Sequence, residues 1–304
     1  MPAPALSMLT AEETAARLPF GPLCEAVAAA ARDYAAGRIT SPERQVLPLP
    51  QDGVLLSMPA TAQDIGIHKL VNVCPGNGAQ GLATIHGVVS VYDGPTGVPV
   101  AILDGPTVTG RRTAAVSMLA IRTLSRQAPV RVALIGTGKQ ASCHAEALAA
   151  LHPGIRVDVH SRDLDKAKDF CRRHDGLGLD LRPASGAVDP SAGVVIALTT
   201  SRAPFYDEAP RPDRLLIGVG AFKPDMAEFG AACVHGSEVF MDDPAGARHE
   251  AGDLIQAGFD WSTGRSLADA LEGRAAPDRP RLFKSVGCAA WDLAAARCAL
   301  TSAP

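Results

Sequence analysis

Val130-Arg-Val-Ala-Leu-Ile-Gly136-Thr137-Gly138-Lys139-Gln140-Ala141 is the stretch that decides the fold. Six mostly apolar residues bounded by a turn read as a strand buried on both faces of a parallel sheet. Glycines follow at once, and a helix pattern runs from Ser142 to Leu151. Strand, glycine turn and helix in that order form the dinucleotide fingerprint G-x-G-x-x-G/A, with Ala141 at the third small position. Gly136 permits the tight turn and Gly138 lets the backbone approach a pyrophosphate. Ala141 is small enough for close packing of helix on strand. The open N–H groups of the first helical turn, from Lys139 and Gln140 on, then face the phosphates beside Thr137.

Downstream the alternation continues. Val157–His160 reads as a strand, Leu164–His174 as a helix, and Gly193–Thr199, Leu215–Val219 and Glu238–Met241 as further strands. Strands and helices at this spacing predict an α/β, Rossmann-type doubly wound parallel sheet over residues 114–282. Thr199, at the end of its strand, is a candidate cofactor contact. The tip of the second strand, His160-Ser161-Arg162, carries no acid for a ribose hydroxyl pair. Arg162 can clamp a 2′-phosphate and Ser161 can donate a hydrogen bond to it. NADPH is therefore expected in preference to NADH, although Asp163 remains available to a ribose.

Upstream the texture differs. Thr10 to Arg38 reads as helix, opened by Thr10 and Glu13 as a capping box. Short strand-like runs follow: Val54–Met58, Ile67–Val73, Thr84–Tyr92 and Val98–Leu103, with turn signals at Gly76-Asn-Gly and Asp93-Gly-Pro-Thr-Gly. A helix is expected from Thr113 to Arg126. After Leu282–Gly287, a last strand or turn, comes a closing helix from Cys288 to Leu300. These parts predict an α+β domain built from residues 1–113 and 283–304.

Composition narrows the partners. A net charge of −3 over 304 residues supplies no field for nucleic acid or anionic membrane. No apolar run reaches the roughly 18 residues of a spanning helix, and the N-terminus does not read as a signal peptide. Seven scattered cysteines without a CxxC pair read as reduced thiols of a cytoplasmic protein. Cys171-x-x-His174 has no second pair, so no metal site is expected, and no G-x-S-x-G elbow occurs.

Arg44, Lys69 and Arg112 stand beside strand or turn signals in the first part of the chain, Lys69 within an apolar run and Arg112 at the start of the expected helix. Taken alone each reads as a solvated surface charge, and it is these neighbours that single them out.

Several longer stretches carry a resemblance. They are Met58-Pro-Ala, Lys69-Leu-Val-Asn-Val-Cys-Pro-Gly-Asn77, Gly81-Leu-Ala-Thr84-Ile-His-Gly-Val-Val, Tyr92-Asp-Gly-Pro-Thr-Gly and Leu103-Asp-Gly-Pro-Thr-Val-Thr-Gly-Arg-Arg112-Thr-Ala-Ala. To these add the glycine turn, Val219-Gly-Ala-Phe-Lys-Pro-Asp-Met-Ala-Glu228 and Lys284-Ser-Val-Gly-Cys-Ala-Ala-Trp-Asp292. Together they resemble the ornithine cyclodeaminase/mu-crystallin family, in order, from about Arg44 to Asp292. The resemblance implies a substrate and dimerisation domain beside the Rossmann domain, a homodimer, and a substrate α-carboxylate held by Arg44, Lys69 and Arg112. Thr84 and Asn77 are then candidates to touch the substrate ring or ribose, and His86 reads as a core or interface residue.

The family contains several chemistries, and this chain departs from the cyclodeaminase pattern. The Asp that holds the distal amine of ornithine falls at Phe222, and a Glu before the Met-Pro pair falls at Leu56. Asp225 and Glu228 match the ordinary family pattern and suit a turn or helix cap. A pocket with cations for one carboxylate and apolar walls suits Δ1-pyrroline-2-carboxylate or Δ1-piperideine-2-carboxylate. The expected reaction is hydride transfer from a nicotinamide to the imine carbon, with Lys69, or a water, supplying the proton. Alanine dehydrogenase, ornithine cyclodeaminase and a non-catalytic NADPH-binding protein like mu-crystallin are the alternatives.

Overall fold

The computed structural model describes residues 6–302, which fall into two compact units. One runs up to Arg112 and resumes at Cys288; the other is Thr113–Gly287. The return lies after 287 rather than at 283, because the strand ending at Lys284 is interior to the second unit's sheet.

The first unit opens with β1 (Ser7–Met8), α1 (Ala11–Ala16) and α2 (Phe20–Ala35). The Thr10/Glu13 capping box is present, but Thr10–Arg38 is two helices, not one. Leu18-Pro19 breaks it, since the residue before a proline is driven out of the α region. Then come β2 (Gln45–Leu49), β3 (Gly53–Thr61), β4 (Ile65–Val73), β5 (Ile85–Asp93), β6 (Pro99–Asp104) and α3 (Gly105–Leu124), whose residues from Thr113 on belong to the second unit. The six-stranded sheet has the order β1-β6-β5-β4-β3-β2, antiparallel except where β1 joins β6. Alternation divides its faces. Met58, Lys69, Val89 and Leu103 stand in register on one face and are buried. The opposite face carries Leu55, Leu70 and Ile102 half-buried, with Leu47 and Val88 exposed.

α3 starts eight residues before the expected Thr113, so Arg112 lies inside it. The helix opens on Gly105-Pro106. Proline is tolerated in a first helical turn, and the Asp104 carboxylate accepts the Thr107 N–H at 2.8 Å there.

The second unit holds β7 (Arg131–Ile135), α4 (Lys139–Leu151), β8 (Arg156–His160), α5 (Leu164–Arg173), β9 (Asp180–Ala184), β10 (Val194–Ala197) and β11 (Leu215–Gly218). It continues through α6 (Ala231–His235), β12 (Glu238–Met241), α7 (Pro244–Glu250), α8 (Gly252–Gln256), β13 (Arg265–Ser266), α9 (Leu267–Leu271) and β14 (Arg281–Lys284). All eight strands run parallel in the order β13-β12-β14-β11-β10-β7-β8-β9. Strand order reverses between β7 and β10, the switch point at which doubly wound sheets bind ligands.

The last helix, α10 (Ala289–Thr301), belongs to the first unit. It packs on α2, β3 and β4, and nearly all of it is buried. Its alanines permit this close approach. Trp291 meets Tyr34 edge-on at 6.1 Å, and Arg297 bridges Asp33 at 3.0 Å and Asp64 at 2.6 Å. Among the described residues no helix is long and apolar enough to cross a membrane.

Candidate active site

Within the first unit the fold gathers charges from three distant parts of the chain. Lys69 projects from β4 onto the covered face, Arg112 from α3, and Asp292 from the first turn of α10, where the helix N-terminus favours an anion. Lys69 Nζ lies 2.6 Å from Asp292 Oδ2, and Arg112 Nε donates to Oδ1 at 3.1 Å. All three are buried. Two cations on one carboxylate leave a net positive charge away from water, an arrangement that a further anion completes.

Burial pulls the Lys69 pKa down from 10.5 to about 8. The charges of Arg112 and Arg44 push the same way, while Asp292 opposes them. Lys69 can thus change protonation near neutral pH, as a proton-transfer group must. Its dependence on Arg44 places that residue within electrostatic reach of the cluster. Arg111 is directed elsewhere: its guanidinium lies over the Phe20 ring at 4.0 Å and bonds the Leu18 carbonyl.

Thr84 does not join the cluster. It is exposed just before β5, with its carbonyl accepting from the Cys74 N–H. Asn77 spends its amide on the Ala83 carbonyl at 2.8 Å, and His86 is exposed rather than in a core. Asp292 was the residue missed. It closes the family-like motif in sequence, but only the return of α10 to β4 brings it to Lys69.

The second unit carries the glycine turn at the C-terminal ends of β7 and β10. Gly136 has φ +126°, and a Cβ there would lie 2.7 Å from the Leu198 carbonyl oxygen. Gly138 is the N-cap of α4 without a side-chain cap, and a Cβ on it would meet open space. Unused helix N–H groups, a glycine cradle and room in front of it fit a pyrophosphate. The Gly136 N–H donates to the His160 carbonyl at 2.9 Å, tying the turn to the tip of β8. Ala141 is fully buried, while Thr137 and Gln140 are half-buried and Lys139 is exposed.

At the β8 tip Arg162 is exposed and Ser161 half-buried. The flanking acids are engaged: Asp163 caps α5 at the Asp165 N–H, and Asp158 pairs with Arg131 and Arg156. Thr199 donates both its N–H and its hydroxyl to Glu228, at 2.6 and 2.9 Å. Glu228 is therefore neither turn former nor helix cap but a fully buried tie. Asp225 is exposed, 3.8 Å from Arg202.

Residues 6–303 match the model of the ornithine cyclodeaminase/mu-crystallin family, and the chain belongs to that family. It is 55% identical over 295 residues to a Δ1-pyrroline-2-carboxylate/Δ1-piperideine-2-carboxylate reductase of Azospirillum brasilense, covering 97% of this chain and 95% of that protein. It is 54% identical over 290 residues to a Δ1-pyrroline-2-carboxylate reductase of Burkholderia ambifaria, covering 95% and 93%. Among solved structures, the Thermococcus litoralis Δ1-pyrroline-2-carboxylate reductase in complex with NADH and L-proline superposes with a TM-score of 0.84 at 24% identity, over 98% of this chain and 96% of that one. An archaeal alanine dehydrogenase dimer with bound NAD gives 0.85 at 23%, over 98% and 95%. At those identities the two structures speak to the fold.

Proposed function

We propose that the chain is an NAD(P)H-dependent reductase of cyclic imino acids, converting Δ1-pyrroline-2-carboxylate to proline and Δ1-piperideine-2-carboxylate to pipecolate. The buried pair of cations on Asp292 carries this reading, and the names of the Azospirillum and Burkholderia relatives support it. Arg112 and Arg44 hold the substrate carboxylate and so fix the ring, which supplies much of the rate through orientation. Lys69 supplies the proton to the imine nitrogen, leaving C2 electrophilic. A nicotinamide cofactor bound at the glycine turn would supply the hydride that C2 accepts, so that the C=N double bond becomes a C–N single bond and the product is a secondary amine. Gly136, Thr137, Gly138 and the first turn of α4 hold the cofactor pyrophosphate. Ser161 and Arg162 take a 2′-phosphate, so NADPH is preferred to NADH.

Nothing at the aligned positions serves a distal ammonium: Leu56 and Phe222 are apolar, Asp225 faces Arg202, and Glu228 faces Thr199. This disfavours ornithine as substrate. The exposed apolar face of the six-stranded sheet supports a homodimer.

The test is NADPH oxidation at 340 nm with each cyclic imine, or with pyruvate and ammonia, alongside ammonia release from ornithine. Rapid oxidation with the imines alone is expected. Turnover with pyruvate and ammonia only would make the chain an alanine dehydrogenase.

A further inference from the structure

Glu228 is a fully buried acid that grips two strand ends of the second unit at once. Its Oε1 accepts from Thr199 N and Oγ1, and its Oε2 accepts from Gly220 N at 2.7 Å and Ala221 N at 3.2 Å. Thr199 follows β10 and Gly220 follows β11, so one carboxylate clamps the segments leaving two adjacent strands. Leu198, which packs on Gly136, is the residue before Thr199. The clamp therefore begins one residue from the glycine turn, on the side away from β8.

The fit is tight. A side chain at Gly220 would collide with Thr199 and with Glu228 itself. Glu228 is in turn held from behind: its N–H and that of Phe229, the latter at 2.9 Å, donate to Asp253 Oδ1, and Asp253 Oδ2 pairs with the fully buried Lys284 of β14. The Glu228 pKa is raised, by burial first and by the Asp253 charge, with Lys284 and the Thr199 donors pulling the other way. Four donors face its two oxygens, so the geometry accommodates the carboxylate form. Holding such a charge in a dry interior is costly unless every bond is made. Packing alone would be served by an apolar side chain.

In a doubly wound sheet the two halves of a dinucleotide lie on opposite sides of the switch point. The β8 side takes the adenosine half, leaving the β10–β11 side for the nicotinamide half. We infer that Glu228, backed by Asp253 and Lys284, is a positioning residue that fixes the Thr199 and Gly220–Ala221 backbone against which the nicotinamide end of the cofactor is seated. The inference rests on the dinucleotide-reductase reading given above. It assigns Thr199 an indirect role: its hydroxyl hydrogen is committed to Glu228.

The test separates the two halves of the ligand by calorimetric titration of the full chain. NADPH and NADH are compared with ADP-ribose 2′-phosphate and ADP-ribose, which lack the nicotinamide. In Glu228→Gln the new amide group turns an N–H toward a donor that needs an acceptor. Affinity for NADPH and NADH is expected to fall about tenfold or more, while the two ADP-ribose ligands bind within about twofold of wild type. Equal losses for all four ligands, or no loss for any, would overturn the inference. Thr199→Val, which removes the hydroxyl donor and keeps the backbone donors, gives the same pattern at smaller size and serves if the Gln variant does not fold; selective loss is again required. Failure of the wild-type chain to bind any of the four would instead overturn the dinucleotide reading beneath it.

Discussion

At the scale of single residues, Lys69 and Asp292 make the sharpest claim. With the Lys69 pKa near 8 in the free protein, the proposed role of its ammonium as proton source predicts that kcat/KM for imine reduction falls as pH rises through about 8. Asp292 raises the Lys69 pKa and Arg112 lowers it. Asp292→Asn should therefore move the descending limb to lower pH and raise KM for the imino acid at least tenfold. Arg112→Ala should raise KM too but move the limb upward. A limb that stays in place in both variants belongs to the substrate instead. Asp292→Asn should also lower stability by about 3–5 kcal/mol, the usual cost of breaking a buried ion pair, read from the denaturation midpoint. Lys69 stands out in the sequence because a cation in an apolar run is conspicuous, and Arg112 because it falls at the start of an expected helix. The acid that unites them does not, because pairing across the chain from 69 to 292 has no local signature. Thr84 shows the converse: it lies in a family-like motif, yet the loop carries it into solvent.

Among elements, the glycine turn was legible almost residue for residue, since the strand before it, the turn and the helix after it each have their own local chemistry. Gly136→Ala places a side chain at φ +126° against the Leu198 carbonyl. We expect a loss of roughly 1–3 kcal/mol of stability from the strained backbone and loss of detectable NADPH binding, measured by thermal melting and fluorescence titration. The tip of β8 predicts cofactor choice. Arg162→Ala should weaken NADPH by about tenfold with NADH nearly unchanged, and a parallel loss of both would remove Arg162 from the 2′-phosphate. The early start of α3 and the break between α1 and α2 escape the sequence for one reason. Proline is a helix breaker in one position and a helix starter in another, and the difference at Pro19 and Pro106 is set by neighbours such as Asp104.

For the molecule as a whole, division into two units followed from the change of periodicity near Pro129, where alternating strands give way to continuous apolar ones. Assembly is the open matter at this scale. The uncovered sheet face, with Leu47 and Val88 exposed beside Leu55, Leu70 and Ile102, predicts a particle of twice the chain mass by light scattering. Val88→Glu should convert it to a monomer; a wild-type chain that already runs as a monomer would remove the dimer from the account.

The return of α10 also sets a timetable for synthesis. The sheet bearing Lys69 emerges early, but the helix that covers it, and the carboxylate that pairs with Lys69 and Arg112, follow the whole of Thr113–Gly287. At roughly 5–20 residues per second that interval lasts on the order of ten to thirty-five seconds. The contiguous second unit has all its strands by then and can close on the ribosome, while the first waits with an unfinished core. Nascent chains halted before Cys288 should accordingly protect the glycine-turn unit from protease and leave the β2–β6 sheet open to cleavage.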